Sequence, residues 1–207
     1  MLHDPYRHLF MTASILSPTS RLDPLKKFDF RTHLLLDRLG LASGERLLLA
    51  GATVPGVLSA LRFKLGLTGQ LLVVDPRPEA LARISRYDAD WAVLLTAQAS
   101  SVPIMDSSVD AVLCWSSYVA LERQTDPALM AAEFYRVLSP RGRVLVAHTG
   151  PGAASGNRRP CHRDLGRVFA DAGFCLFDTE ENEELFLFKT EKIPGFSRGS
   201  VGEVGRA

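Results

Sequence analysis

The residues best placed to do chemistry lie in a short glycine-bearing segment in the first third of the chain. The apolar run LLLA at 47–50 is followed by GATVPG at 51–56, and the next residues have helical apolar spacing. A buried strand, a glycine turn and a helix form the first β-loop-α unit of a nucleotide-binding α/β fold, in which the turn approaches the ligand. Gly51 is therefore the first candidate contact to a cofactor.

Strand and helix patterns alternate along the rest of the chain. Helices are predicted at 29–39, 57–65, 79–87, 127–138 and 162–172, and strands at 47–50, 70–74, 91–96, 109–115, 143–148, 174–178 and 185–189. Continuous apolar runs such as 70–74 are typical of strands buried on both faces of a parallel sheet. We predict an α/β fold with a Rossmann-like, doubly wound, seven-stranded sheet, mostly parallel, with a C-terminal antiparallel hairpin strand.

In such a sheet, ligands bind beyond the carboxyl ends of the strands. Five side chains end or follow predicted strands there: Asp75, Gln98, Trp115, Tyr118 and His148. We predict that the first three line one cleft with Gly51, and that the last two are candidates for the substrate pocket. His148 has the chemistry of a general base, but a histidine packed at a strand end is the simpler alternative. Core packing is likewise an alternative for Tyr118.

Composition narrows the class of partner. The chain has 24 basic and 23 acidic side chains and a net charge of +1, so no electrostatic feature favours nucleic acid or an anionic membrane. The longest uncharged window, 47–61, is shorter than the roughly 20 residues that cross a bilayer. The three cysteines lack paired spacing, which predicts neither a disulfide framework nor a structural metal and favours a cytoplasmic protein.

The chain divides into one domain and two flanking segments. Residues 1–28 carry three prolines and are predicted to form an N-terminal lid or extension, with a short helix at 6–15. The domain is expected at 29–190. Residues 191–207 end in a stretch rich in Gly, Ser and Arg and are predicted to be a disordered tail.

Three stretches of this sequence resemble the class I S-adenosylmethionine-dependent methyltransferases of the small, single-domain type. VPIMDSSVD at 102–110 is similar to the family's Leu-Pro-Phe-x-Asp-x-Ser-Phe-Asp segment, and EFYRVLSPRG at 133–142 to its Glu-x-x-Arg-Val-Leu-Lys-Pro-Gly-Gly segment. Asp75 stands where the family ends its second strand with an acidic residue. The likeness covers about 30–190.

The resemblance implies S-adenosylmethionine as cofactor and assigns residues to its adenosine half. Asp75 takes the position that accepts both ribose hydroxyls, with a helix N-cap as the structural alternative. Gln98 takes the position of an Asp that accepts from the adenine amino group; a Gln carbonyl accepts equally well, and a solvated loop residue is the alternative.

The glycine-rich loop departs from the family pattern. In the segment Asp/Glu-x-Gly-x-Gly-x-Gly, the acidic position is Leu49 here, the first glycine is Gly51, and the others are Thr53 and Pro55, while Gly56 falls one residue late. The chain thus lacks a carboxylate for the cofactor's amino group and a backbone donor at Pro55. Weak cofactor binding is the expectation.

The resemblance, together with the altered loop, implies two alternative functions of different class. The first is S-adenosylmethionine-dependent methyl transfer to a small-molecule acceptor. The second is a non-catalytic protein of the same fold that binds or regulates a partner protein. A nucleotide-binding enzyme of another kind, such as a dehydrogenase, is a third alternative, against which the closing hairpin and the matched segments argue.

Overall fold

A computed structural model describes residues 30–51, 55–85, 91–115, 126–149, 162–181 and 185–194. The predicted N-terminal lid, its helix at 6–15 and residues 195–207 of the predicted tail lie outside this part of the chain, whereas Glu191, predicted to begin that tail, is the last residue of the last strand. The helices are α1 (Phe30–Leu39), α2 (Pro55–Leu65), α3 (Pro78–Ser85), α4 (Pro127–Val137) and α5 (His162–Asp171). The strands are β1 (Arg46–Ala50), β2 (Gln70–Asp75), β3 (Ala92–Thr96), β4 (Val109–Trp115), β5 (Leu138–Thr149), β6 (Cys175–Glu181) and β7 (Leu185–Glu191).

The strands form a seven-stranded sheet in the order β3-β2-β1-β4-β5-β7-β6. Strands β1 to β5 pair in parallel, whereas β7 lies antiparallel between β5 and β6. This confirms the predicted fold class, including the antiparallel insertion of the last strand. An antiparallel pair needs only the short turn between β6 and β7, so the chain can close the sheet there without a further crossover helix.

Both faces of the sheet are covered, as the apolar runs predict. Alternate residues of β1 enter two separate cores: Leu47 and Leu49 pack with α1 and α2, and Leu48 and Ala50 pack on the α4 and α5 side. All four are fully buried. Since a strand places successive side chains on opposite faces, only a continuous apolar run can serve two cores.

The start of β5 differs from the sequence-based prediction of a strand at 143–148. The strand begins at Leu138, directly after α4, and pairs Leu138 with Val109 before the register shifts to Arg143 opposite Ala111. Arg141 within this irregular stretch has a φ of 65°. Backbone bonds between Arg141 or Gly142 and Lys192, each 2.8 Å, secure the stretch against the chain leaving β7. Local sequence patterns do not reveal such long-range bonds, so they do not predict the early start of β5.

Two ion-pair networks fasten the end of the sheet where the parallel strands begin. Arg143 donates to both carboxylate oxygens of Glu45, at 2.9 and 2.7 Å, and to the carbonyls of Leu39 and Gly40 at the end of α1. Arg46 spans both oxygens of Asp110, at 3.2 and 3.0 Å. These contacts hold α1, β1, β4 and β5 together and leave the opposite edge for ligand binding.

We expect this edge to make the protein sensitive to acid. Although burial raises the pKa of Glu45 and Asp110, hydrogen bonds from Arg143 and Arg46 outweigh that effect and lower both below their ordinary values of 4.5 and 3.8. A lowered folded-state pKa stabilises the protein above the unfolded pKa, and this stability is lost as pH falls through the folded value. Thermal unfolding should therefore shift to lower temperature below about pH 4.5.

The variant Asp110→Asn should show a smaller loss between pH 6 and pH 3 than the parent chain, since it has no charge to neutralise there. Asp178→Asn on the outer strand β6 is the matched control and should keep the parental slope. Parallel pH profiles of thermal unfolding for the parent and Asp110→Asn would show that Asp110 does not contribute to the acid sensitivity.

Candidate active site at the carboxyl edge of the sheet

Parallel pairing aligns the ends of four neighbouring strands. Ala50 at the end of β1 pairs with Val74 and Cys114, and Asp75 pairs with Thr96. The amide of Gly51 donates to the carbonyl of Val74 at 2.8 Å, so the chain after β1 remains against β2 for one more residue. The backbone positions predicted to hold the cofactor therefore lie along one edge. The side chain of Trp115 lies outside the described residues.

Gly51 is the one loop glycine retained from the family pattern, and its backbone explains why. It is buried and has a φ of 94°, in the left-handed region that side chains with a Cβ disfavour. The chain reverses here from β1 towards α2. A residue with a Cβ would strain this turn. Thr53 lies outside the described residues.

Two of the altered loop positions, Leu49 and Pro55, have structural roles. Leu49 is fully buried in the core shared with α1 and α2, together with Val73 and Leu113. A carboxylate there would lose its hydration, so Leu49→Asp would destabilise the fold rather than restore a cofactor contact. Pro55 begins α2, where a missing amide proton costs the helix nothing. The helix is preserved, but one amide that would face a ligand is lost.

Asp75 is the retained acidic residue, and it is almost completely buried, with 1% of its surface exposed. Its Oδ1 accepts from the backbone amide and the Nε of Arg77, both at 2.9 Å, and its Oδ2 accepts from Nη2 at 3.0 Å. Hydrogen bonding to Asp75 raises the pKa of Arg77. Half of the Arg77 side chain is exposed, so a guanidinium at the protein surface covers the carboxylate.

The N-cap alternative for Asp75 does not describe its position. Helix α3 begins at Pro78, and the carbonyl of Arg77 accepts from the amides of Ala80 and Leu81. Arg77 thus precedes the first helical residue, and Asp75 lies two residues further upstream. Its carboxylate stabilises the turn between β2 and α3 and remains at the edge where the ribose is predicted.

Gln98 follows β3 at the same edge and has an exposed side chain. Its Oε1 accepts a long hydrogen bond of 3.4 Å from the hydroxyl of Ser100. The next residue, Ala99, is buried in the core. The backbone is therefore anchored while the amide group stays accessible, and the adenine contact of Gln98 stays a prediction.

A clamp from α4 holds the loop that carries Gln98, and the sequence analysis did not assign it. Arg136 donates to the carbonyls of Val102, at 3.0 Å, and Ile104, at 2.9 Å, and to the carboxylate of Asp106 at 2.6 Å. Glu133 accepts from the amide of Val102 at 2.6 Å and from Arg136 at 2.8 Å. We call these two side chains the Glu133–Arg136 clamp.

The clamp joins the two segments on which the family resemblance depends. The 102–110 segment supplies the carbonyls and the acidic residue, and the 133–142 segment supplies the Glu-x-x-Arg pair on one helix face. Hydrogen bonding from Arg136 lowers the pKa of Glu133, so it is ionised at neutral pH. The spacing of Glu133 and Arg136 indicates that the two side chains lie next to each other on one helix. Local sequence patterns do not show which loop they bind.

Other candidate groups are less informative. Tyr118 lies outside the described residues; His148 lies in β5 opposite Phe186, with its side chain outside them. Burial raises the pKa of the Cys114 thiol to about 12, which makes it a poor nucleophile. Within the described ranges, no three His, Cys, Asp or Glu side chains are grouped to hold a metal, and none of the helices has the length and apolarity to cross a membrane.

We expect Arg136→Leu to loosen the loop and lower stability. The substitution removes the arginine bonds to Glu133, to Asp106 and to the carbonyls of Val102 and Ile104, which costs about 1.5–3 kcal/mol in the free energy of unfolding for this partly exposed group. Urea unfolding measures the loss, and amide hydrogen exchange should accelerate at 102–106. Arg83→Leu on the exposed side of α3 is the control. Unchanged exchange at 102–106 would show that the clamp does not hold the loop.

Comparison with known proteins agrees with this geometry. A family model described as a methyltransferase domain matches residues 49–146. No curated protein sequence matches the chain. A structure of a SAM-dependent methyltransferase from Aquifex aeolicus has a TM-score of 0.68 at 19% identity, covering 83% of this chain and 94% of that one.

Two further structures share the fold. The putative methyltransferase solved with the Trm112 methyltransferase activator of Haloferax volcanii has a TM-score of 0.68 at 19% identity, covering 80% of this chain and 90% of that one. Geranyl diphosphate C-methyltransferase from Streptomyces coelicolor A3(2), solved with Mg²⁺, geranyl diphosphate and S-adenosyl-L-homocysteine, has a TM-score of 0.63 at 15% identity, covering 79% and 80%. The strand order and these structures show that the chain shares the fold of S-adenosylmethionine-dependent methyltransferases, and the family model identifies a methyltransferase domain at residues 49–146.

Proposed function

We propose that this protein binds S-adenosylmethionine at the carboxyl edge of β1 to β4 and transfers its methyl group to a small-molecule acceptor. The observation that carries the proposal is the alignment of Gly51, Asp75 and Gln98 on one edge, at the positions where the family holds the adenosine half of the cofactor. Three consecutive strand ends supply them, so the placement follows from the sheet itself.

The residues fit the adenosine half of the cofactor better than its amino-acid half. Asp75 offers carboxylate oxygens to the ribose hydroxyls, and Gln98 offers an amide to the adenine edge. Gly51 has no Cβ, so the backbone at this position can approach the cofactor closely. At the other end, the buried Leu49 and the helix-starting Pro55 supply neither charge nor amide. We expect the protein to bind the cofactor mainly through its adenosine half and to make only weak contacts with its amino-acid half.

S-adenosylmethionine supplies an electrophilic methyl group, and the acceptor supplies the electron pair that displaces it. The protein's part in such a displacement is largely to hold the acceptor in line, so activity does not depend on an obvious base. The acceptor site is proposed beyond the ends of β4 and β5. Tyr118 and His148 are the proposed pocket residues there, and Trp115 is proposed to line the cofactor cleft.

A small acceptor fits the overall charge. With a net charge of +1 the chain has no excess of positive charge to attract a polyanion such as nucleic acid. The Streptomyces coelicolor protein of the same fold was solved with geranyl diphosphate, which is a small molecule. That neighbour supports the class of acceptor and not its identity.

Two observations favour a second function, a non-catalytic protein that binds or regulates a partner. The loop after β1 has lost its acidic position to the core, and the ribose-binding carboxylate is engaged by Arg77. A putative methyltransferase of this fold was solved in a complex with the Trm112 methyltransferase activator of Haloferax volcanii. Cofactor binding distinguishes the two functions.

Calorimetric titration with S-adenosylmethionine and S-adenosylhomocysteine tests the proposal. Each lost hydrogen bond to a charged group costs about 1.5–3 kcal/mol, so losing two weakens binding by roughly two to four powers of ten. We expect a dissociation constant in the high micromolar range. Asp75→Ala should abolish the remaining binding, because the ribose contacts carry much of it. Asp178→Ala on β6 is the matched control and should bind like the parent.

Two results would contradict the proposal. Tight binding that Asp75→Ala leaves unchanged would mean that the cofactor site lies elsewhere. No heat at millimolar cofactor, from a folded protein, would favour the non-catalytic function.

A further inference from the structure

We infer that Arg77 is a specificity-determining residue: it competes with the ribose hydroxyls for Asp75 and thereby sets how strongly the site selects for them. This inference rests on the proposed function, since it concerns the same edge of the sheet. Arg77 belongs to none of the family segments that identify the fold.

The contacts show how completely Arg77 engages the carboxylate. Its side chain spans both oxygens, with Nε at 2.9 Å from Oδ1 and Nη2 at 3.0 Å from Oδ2, and its backbone amide adds a third bond to Oδ1. A carboxylate has about four lone-pair positions, and the three hydrogen bonds from Arg77 take up most of them. Little accepting capacity is left for two hydroxyl donors.

The local sequence fixes the backbone of this arrangement. Asp75 and Arg77 are separated by Pro76, and Pro78 follows to begin α3. Each proline holds its own φ near −65°, and each restricts the residue before it, so the turn that places Arg77 over Asp75 is stiff. The backbone amide of Arg77 therefore stays in place, and only the side chain is free to leave.

Exposure differs sharply between the two side chains. The Asp75 side chain is 2% exposed and the Arg77 side chain is 49% exposed. When the guanidinium turns away it is hydrated by solvent, so its departure leaves no buried charge on the arginine. A ribose that takes its place exchanges one charge-assisted pair for another, and the hydroxyls gain less than they would at an unoccupied carboxylate.

The test compares S-adenosylhomocysteine with its 2′-deoxyribose analogue by calorimetry on three proteins: the parent, Arg77→Ala and Arg77→Lys. Removing the competitor should tighten S-adenosylhomocysteine binding about three- to tenfold in Arg77→Ala, in line with a half-exposed ion pair. The same variant should discriminate more strongly against the deoxy analogue. Arg77→Lys keeps the charge without spanning both oxygens and should give intermediate values.

The matched control is Arg83→Ala, which removes an exposed arginine from the helix that follows Arg77 and should leave both affinities unchanged. Thermal unfolding checks that each variant is folded, and Arg77→Lys keeps the test decisive if Arg77→Ala is not. If the parent binds and neither Arg77 variant binds more tightly or discriminates more, the inference is overturned and the proposed function stands. If neither the parent nor the folded variants bind, both fail.

Discussion

The position of β1 between β2 and β4 is the constraint on which the rest of the structure depends. Its side chains are fully buried from Leu47 to Ala50 and enter one core on each face. Its hydrogen bonds set the register of both neighbours, so Val74 and Cys114 stand level with Ala50. A single central strand therefore fixes where the loops after three strands emerge, and these loops carry the proposed cofactor site.

Two sets of polar contacts stabilise the sheet. Where the strands begin, Arg143 and Arg46 are bonded to Glu45 and Asp110 in direct ion pairs. The segment that carries Gln98 and leads to β4 is held by the Glu133–Arg136 clamp, which bonds mainly to backbone groups of that segment. Arg136 precedes the start of β5 by two residues, and its carbonyl accepts from the amide of Ser107 just before β4 begins. Both sets of contacts therefore lie towards the starts of β4 and β5, away from the carboxyl edge where the ligand is proposed to bind.

Asp75 and Arg77 show how one pair of residues serves both structure and the proposed binding. In the folded chain the pair stabilises the turn after β2. In the proposed complex the same carboxylate receives the ribose, and the arginine moves into solvent. The retained Asp75 and the altered loop at Leu49 and Pro55 act in opposite directions on affinity, which is why cofactor binding itself is the decisive measurement.

The sequence by itself determined the architecture. Apolar runs of the right length, helical spacing and turn residues are local signals, and they gave every strand of the sheet and the antiparallel end of the chain. Asp126, a residue type typical of N-caps, directly precedes the fourth helix, and its carboxylate accepts from the amide of Ala128 at 2.8 Å. The family segments at 102–110 and 133–142 were also visible, because they are contiguous motifs.

Only the tertiary structure decided what those motifs contact. The clamp joins residues about thirty positions apart, and the early start of β5 depends on bonds to Lys192. The burial of Leu49 in the core and the guanidinium of Arg77 over Asp75 are likewise set by the folded chain. Local patterns report which residues prefer a strand or a helix. Long-range hydrogen bonds and burial arise only when distant segments meet, and they determine which polar groups at the edge are left to bind a ligand.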